Sequence, residues 1–361
     1  MLLMPLIGPA LLTAAVLLLL EKLAPRIGLV DAPRGHRTHE IATPVVGGLG
    51  MGVGFLAAWW WLPQTCLEPA ACGGAMLMLW LGCYDDRFEL RSRTKFILQW
   101  LIIAVAFGLS ETLILTLGGL GLHGEKLILP SAVAILVTWF GAVGLVNAVN
   151  MLDGLDGLAG SAVLMSVGWF TFAAWQIGDF DTAVLLLLLA SLIIVFLGFN
   201  LRLPGRAHAR VFMGDAGALM LGFLLAWSAV HLSQLPDGIP PVVALWICAL
   251  PVIDTLTVMW KRHLRGRPKM QAGRDHLHHL LRARGLSVCQ TVLVEAAFAF
   301  LCGLTGVSLW RMGASDWQML MALLLVASVY AHLVMAGWAV VRNRAGQIAA
   351  VPAASSRESV Q

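Results

Sequence analysis

Read for hydrophobic and polar positions, the chain is a series of long apolar runs separated by short polar ones. Stretches free of Asp, Glu, Lys and Arg are Met1–Leu20, Ile41–Leu67, Pro69–Tyr84, Phe96–Ser110, Leu127–Leu152, Gly157–Gly178, Thr182–Leu201, Ala216–Pro236, Gly238–Ile253 and Trp317–Val341. An eleventh, Gly285–Trp310, is interrupted only by Glu295. A membrane-crossing helix needs about 20 mostly apolar residues. The pattern therefore predicts an all-α, polytopic integral membrane protein with about eleven transmembrane helices; Pro69–Tyr84 and Phe96–Ser110 are the shortest. The tract Thr112–Gly124 is too Gly-rich and too short to add a twelfth.

The basic residues sort by side. Loops after odd-numbered runs, together with the C-terminal tail, hold 22 of the 24 Lys and Arg; only Lys126 and Arg311 fall on the other side. Basic loops face the cytoplasm, so the N-terminus is expected outside and the C-terminus inside. The first run has no basic segment before it and leads straight into a basic loop, so it reads as an anchor and not a cleaved signal. Residues 1–344 form one expected transmembrane domain. The Ala/Ser-rich tail 345–361 is expected to be disordered and cytoplasmic.

Composition agrees with this division. Only 12% of residues are charged and 59% are hydrophobic, with mean hydropathy +0.83. Soluble domains carry about a quarter charged residues. These values exclude a cytosolic enzyme, a disordered chain and a nucleic-acid binder. The six Cys show no Cys-x-x-Cys pair and no metal-ligand spacing. They read as small residues packed in helices, with a Cys66–Cys72 disulfide on the outer side as the alternative.

The unusual polar clusters all fall in the inward loops. They are Asp31 to His39 ending in Thr43-Pro44 and Gly47-Gly48; Asp85-Asp86-Arg87 followed by Lys95; Asn147 to Asp156-Gly157; Asn200 with Phe212-Met213-Gly214-Asp215; and Arg274-Asp275-His276-Leu277-His278-His279. Each has a plain structural reading. Asp85 and Asp86 suit a solvated helix end. Asp156 and Asp215 precede apolar runs and suit N-caps. Asn147, Asn150 and Asp153 recur every third residue and suit interhelical hydrogen bonding. Gly47-Gly48 suits close helix packing.

Together the clusters point further. Five carboxylates at one membrane face (Asp85, Asp86, Asp153, Asp156 and Asp215) repel one another unless a cation joins them. Hard oxygen ligands suit Mg²⁺, which commonly bridges one or two carboxylates to substrate phosphates. Nearby His, Lys and Arg donors suit a phosphate ligand. The constellation predicts phosphoryl transfer at the cytosolic lip of the bilayer, where a soluble donor meets a lipid acceptor.

These motifs, in this order, resemble the polyprenyl-phosphate N-acetylhexosamine-1-phosphate transferases, over roughly Asp31 to Leu281. The His-Leu-His-His segment is most similar to the WecA-type branch, which moves GlcNAc-1-phosphate from UDP-GlcNAc to undecaprenyl phosphate. The pentapeptide translocase branch carries three adjacent His, then an aromatic residue and Glu; here Leu277 splits the His set. Ala272-Gly273 departs from the Pro-Asp usual in the WecA type. The resemblance implies ten or eleven helices, a homodimer, and a bacterial inner-membrane enzyme acting on the first step of a lipid-linked surface polysaccharide. It further implies Mg²⁺, with Mn²⁺ as a substitute, and a UDP-N-acetylhexosamine donor.

By the same resemblance Asp215, with Asp153, is expected to hold the metal, and Asp85, Asp86 and His279 to be catalytic. Lys95 and His276, with His279, are expected at the diphosphate. Asn150, Asp153 and Asp156 are expected at the uridine, with Phe212 stacked on the base. Read from its position alone, Pro251 inside the ninth span either kinks the helix, opening a groove for the polyprenyl chain, or is a tolerated helix proline. Asp254, two turns before Lys261, reads as a pocket residue or, preferred here, a structural partner for a nearby Arg. The eight Lys and Arg between Lys261 and Ser287 suit a diphosphate clamp or lipid headgroup anchors. The rival reading from another class is an ion-coupled transporter, whose acids lie near the bilayer midplane; here only Glu295 and Asp254 are deep. A non-catalytic scaffold leaves the carboxylates unexplained.

Overall fold

The computed structural model describes residues 4–31, 42–63, 66, 68–266 and 275–350. The predicted sites Arg34, His36, Arg37, His39, Arg267, Lys269, Ala272-Gly273, Arg274 and Arg357 lie outside the described residues. The long helices are α1 Met4–Ile27, α3 Pro69–Phe88, α4 Ser92–Leu109, α5 Ser131–Leu152, α6 Leu158–Ile177, α7 Phe180–Asn200, α8 Gly214–Gln234, α12 Val288–Arg311 and α13 Asp316–Ala350. Shorter ones are α2 Gly47–Ala57, extended by a 3-10 turn Ala58–Trp60, α9 Pro241–Ile247, α10 Ala249–Leu264 and α11 Leu277–Ala283. Every predicted apolar run contains helix, and Thr112–Gly124 does not. Among the described residues, eight helices are long and apolar enough to cross a membrane, or nine if α9 and α10 count as one bent span. The fold is thus an all-α polytopic membrane protein. Helix α13 continues into the first residues of the expected tail.

Helix α8 is the axis of the bundle. It is apolar on all sides, as an enclosed helix must be, and α2, α3, α5, α6 and α9 pack around it. Small residues allow backbones to meet there. A Cβ on Gly48 would lie 2.2 Å from the Gly217 nitrogen, and one on Gly82 would lie 2.3 Å from the Ala216 nitrogen. The packing role read for Gly48 therefore holds. Outward positions such as Trp60, Trp80, Leu11 and Leu325 are exposed and apolar, which suits a lipid-facing surface.

The bend of 80° between α9 and α10 is at Cys248, one turn before Pro251. A proline has no N–H for the carbonyl four residues back and collides with it. Here that carbonyl is Ile247, and the Ser166 hydroxyl donates to it at 2.8 Å. Of the two readings of Pro251 the kink is the one present, displaced from the proline by the geometry of its clash.

One element departs from the helical plan. Val30–Asp31 (β1) pairs antiparallel with Thr43–Pro44 (β2). The pair ties the end of α1 to the start of α2. None of the six Cys is joined in a disulfide, so the Cys66–Cys72 alternative does not hold.

Candidate active site

The polar motifs meet at one end of the bundle. The carbonyl of Pro44 accepts the Phe212 N–H at 2.8 Å, and Gly47 and Gly48 donate to the carbonyls of Phe212 and Met213 at 2.8 and 2.9 Å. The Thr43-Pro44-Gly47-Gly48 motif is thereby bonded to the Phe212-Asp215 motif. Gly214 turns the chain into α8 at φ +70°, where a Cβ would lie 2.4 Å from Val45 and 2.5 Å from the Asp86 carboxylate. Only glycine fits that conformation and that space.

The resulting cavity of about 760 Å³ is lined by Asp31, Asp85, Asp86, Asn150, Asp153, Asp156, Asn200, Phe212 and Asp215, among others. Seven predicted site residues thus share one wall. Among the described residues seven carboxylates line it (these six Asp and Glu89), against one basic lining residue, Arg87. Lys95 joins them from α4, its ammonium 2.8 Å from Asp85 and 2.7 Å from Asp215.

The carboxylates are not equivalent. Asp85 is buried and also accepts the Leu90 N–H at 2.6 Å, closing the turn into α4. Asp86 accepts the N–H groups of Asp215 and Ala216 at 2.8 and 3.1 Å. Asp215 faces the cavity and accepts from the Asn150 amide as well as pairing with Lys95. Asp156 is buried, ion-paired with Arg202 at 2.7 Å, and within 3.4 Å of the Ala209 N–H. Neither Asp156 nor Asp215 is an N-cap: those positions are Gly157 and Met213, neither with a side-chain cap. Glycine precedes α6 because φ there is +86°.

Asp153 ends α5 and meets only influences unfavourable to its charge. Burial, then the charges of Asp215, Asp86 and Asp156, pushes its carboxyl up to about 8. That setting favours the protonated acid, and an opposite charge beside it would favour the carboxylate. Among the described residues no three His, Cys, Asp or Glu form a metal-ligand cluster. A Mg²⁺ site needs fewer, since that ion keeps water and takes one or two carboxylates with substrate phosphates. Asp153 and Asp215 fit this requirement.

His276 and His279 do not line the cavity. His276 is buried against Asp254 at 2.5 Å. His278 is the nearer ring: its Nε2 would lie 2.7 Å from a Cβ on Gly154, a lining residue. Among the described residues no Arg pairs with Asp254; its donors are His276, the Leu277 N–H and Tyr330. The basic loop is partly neutralised within itself. Asp275 pairs with Lys261 at 2.6 Å, and Arg262 and Arg265 lie 3.5 and 3.9 Å away. Burial opposes the Asp275 charge, yet Lys261 and then Arg262 hold its carboxyl below the usual range. Lys261 also lies 4.5 Å from the Trp338 ring. Three of the eight loop cations, Lys261, Arg262 and Arg265, thus gather on one carboxylate.

Asn200 was not singled out as a site residue, and it lines the cavity. Its side chain accepts the Gly157 N–H at 2.7 Å and donates to the Val211 carbonyl at 2.8 Å, joining two motifs. The signal available was an amide closing an apolar run, as Asn150 does.

Residues 69–233 match the family described as glycosyl transferase family 4. Relatives named undecaprenyl-phosphate alpha-N-acetylglucosaminyl 1-phosphate transferase align over nearly the whole chain. That of Salmonella typhi is 30% identical over 344 residues, covering 93% of this chain and 92% of the relative. That of Yersinia pestis is 31% identical over 338 residues, covering 92% and 91%. That of Haemophilus influenzae is 29% identical over 332 residues, covering 90% and 92%.

Proposed function

The chain belongs to glycosyl transferase family 4, and from that premise we propose that it transfers GlcNAc-1-phosphate from UDP-GlcNAc to undecaprenyl phosphate, releasing UMP. The observation that carries the proposal is the single cavity uniting Asp85, Asp86, Asn150, Asp153, Asp156, Phe212 and Asp215 over the Lys95 ammonium. The relatives' printed name supplies the acceptor and the transferred sugar phosphate. The basic-loop asymmetry supports a cytoplasmic face for the cavity, and the bacterial relatives support an inner membrane as its place.

In this reading an oxygen of the lipid phosphate attacks the β-phosphorus of the donor. One phosphoanhydride bond forms, one breaks, and the pair of electrons leaves with UMP. The reaction exchanges like for like, so catalysis is positioning and charge neutralisation. The lipid phosphate has its second pKa near 6 and needs no strong base. Asp86 fixes the start of α8 and thus the direction of Asp215. Lys95 holds Asp85 and Asp215 together and offers a cation to the diphosphate. Asn150 orients Asp215, and Phe212 presents a face for the uracil. Asp153 and Asp215 would hold Mg²⁺, which supplies neutralisation of diphosphate charge when bound.

Purified protein in lipid nanodiscs, given undecaprenyl phosphate and a panel of UDP-sugars, tests the reading. Release of UMP with formation of lipid-linked GlcNAc is expected, with loss of turnover in excess EDTA. Transfer from the muramyl-pentapeptide nucleotide alone would place the chain in the other branch. Full turnover in EDTA would remove the metal. The His279→Ala variant is expected to lose turnover with normal expression.

A further inference from the structure

Behind the acidic cavity lies a second buried polar cluster that the proposed transfer does not use. Asp254 of α10 is 1% exposed and sits among apolar helices. A buried carboxylate in such surroundings is unfavourable unless several donors satisfy it. Here three do, from two other parts of the chain. His276 Nδ1 donates at 2.5 Å, the Leu277 N–H at 3.2 Å and the Tyr330 hydroxyl at 2.9 Å. Asp254 therefore grips the start of α11 and fixes the face and tautomer of the His276 ring.

From His276 the contacts lead back to the cavity. Its ring stacks on His278, with centroids 5.4 Å apart and planes 9° from parallel. His278 is 1% exposed, and among the described residues its Nδ1 has no hydrogen-bond partner. Its Nε2 abuts the backbone at Gly154, where a Cβ would approach to 2.7 Å. Gly154 lies between Asp153 and Leu155 in the cavity wall. Packed rings have little freedom to shift, so displacement at Asp254 is passed on.

We infer that Asp254 is a positioning residue, which through His276 holds His278 against Gly154 and so sets the Asp153–Asp156 loop in the cavity wall. The inference rests on the transferase reading for its kinetic test only. A misplacement of about 1 Å at a reacting centre lowers turnover by roughly 100-fold. A residue that acts through others also shows non-additive effects with them.

The experiment uses full-length protein in nanodiscs. Asp254→Asn keeps the shape and removes the charge. We expect kcat to fall by roughly 10- to 100-fold, with KM for UDP-GlcNAc little changed. In a His278→Ala background, Asp254→Asn is expected to add almost nothing. Independent multiplication of the two losses, or full turnover of folded Asp254→Asn, would overturn the proposal. Tyr330→Phe removes one donor only and carries the same cycle if Asp254→Asn does not fold. Hydrogen exchange gives a readout free of activity: amides of α11 and of residues 153–156 lose protection in the variant while α8 keeps its own. Unchanged exchange at those amides overturns the inference even if no UDP-sugar is turned over by wild type. That last outcome, by itself, defeats only the transferase reading.

Discussion

The Asp86 carboxylate, near the end of α3, accepts the backbone N–H of Asp215 at the start of α8, at 2.8 Å. Its other oxygen accepts the next N–H, of Ala216, at 3.1 Å. Helix α8 has no side-chain cap from its own N-cap residue, Met213. A neighbouring helix provides the cap instead, and the two Asp take different work. Asp86 anchors backbone, while Asp215 presents its side chain to Lys95 and the cavity.

That division predicts opposite signatures. Asp86→Ala removes a cap, so stability should fall by about 1 kcal/mol, and turnover should fall with it. Asp215→Asn should insert with normal yield and thermal midpoint yet lose nearly all turnover. Thermal unfolding and UMP release on both variants check this. An unchanged midpoint in Asp86→Ala, or full turnover in folded Asp215→Asn, contradicts it.

Lys95 is the resident cation between Asp85 and Asp215. Its removal leaves two close carboxylates facing each other and makes a divalent ion more valuable. Lys95→Met should therefore be less stable in EDTA than wild type. Added Mg²⁺ should raise its thermal midpoint by more than it raises that of wild type. Equal shifts in the two proteins would show that Lys95 and the divalent ion do not share a charge site.

The expected orientation rests on the 22 basic residues on one side of the predicted spans. In a background without native Cys, Arg91→Cys and Arg265→Cys should resist an impermeant thiol reagent in intact cells. Lys126→Cys should react. Labelling of Arg91→Cys from outside would reverse the topology and the cytosolic origin of the donor.

His278 predicts a pH dependence of stability. Burial first, then the neighbouring His279 and His276, pushes its ring down to about 3 despite Asp254. The folded state keeps the ring neutral while the unfolded chain takes up a proton below about 6.5. Its contribution is therefore full above pH 6.5 and is lost as pH falls toward 3. The loss amounts to about 1.4 kcal/mol per pH unit in that window. His278→Gln should flatten the acid limb of the thermal midpoint between pH 6.5 and 5. An acid limb as steep as wild type's would mean that His278 is charged when folded.

The helices themselves were legible along the chain, because lipid forces every backbone polar group to be satisfied within its own segment. Apolar runs such as Thr182–Leu201 and Ala216–Pro236 accordingly became α7 and α8. The acidic motifs were legible for a related reason: carboxylates are unfavourable near lipid, so Asp85, Asp86, Asp153, Asp156 and Asp215 had to gather at helix ends. Their partners were not legible, since a hydrogen bond between residues 129 positions apart, as for Asp86 and Asp215, depends on which helices adjoin. Tertiary packing alone assigned Asp86 to the start of α8, gave Asp156 to Arg202, and placed Lys95 between two acids. It also drew His276 away from the cavity to Asp254, which the residue types by themselves left paired with an Arg. Periodicity and charge act along the chain and can be read there; the identity of a neighbour is a property of the packed bundle.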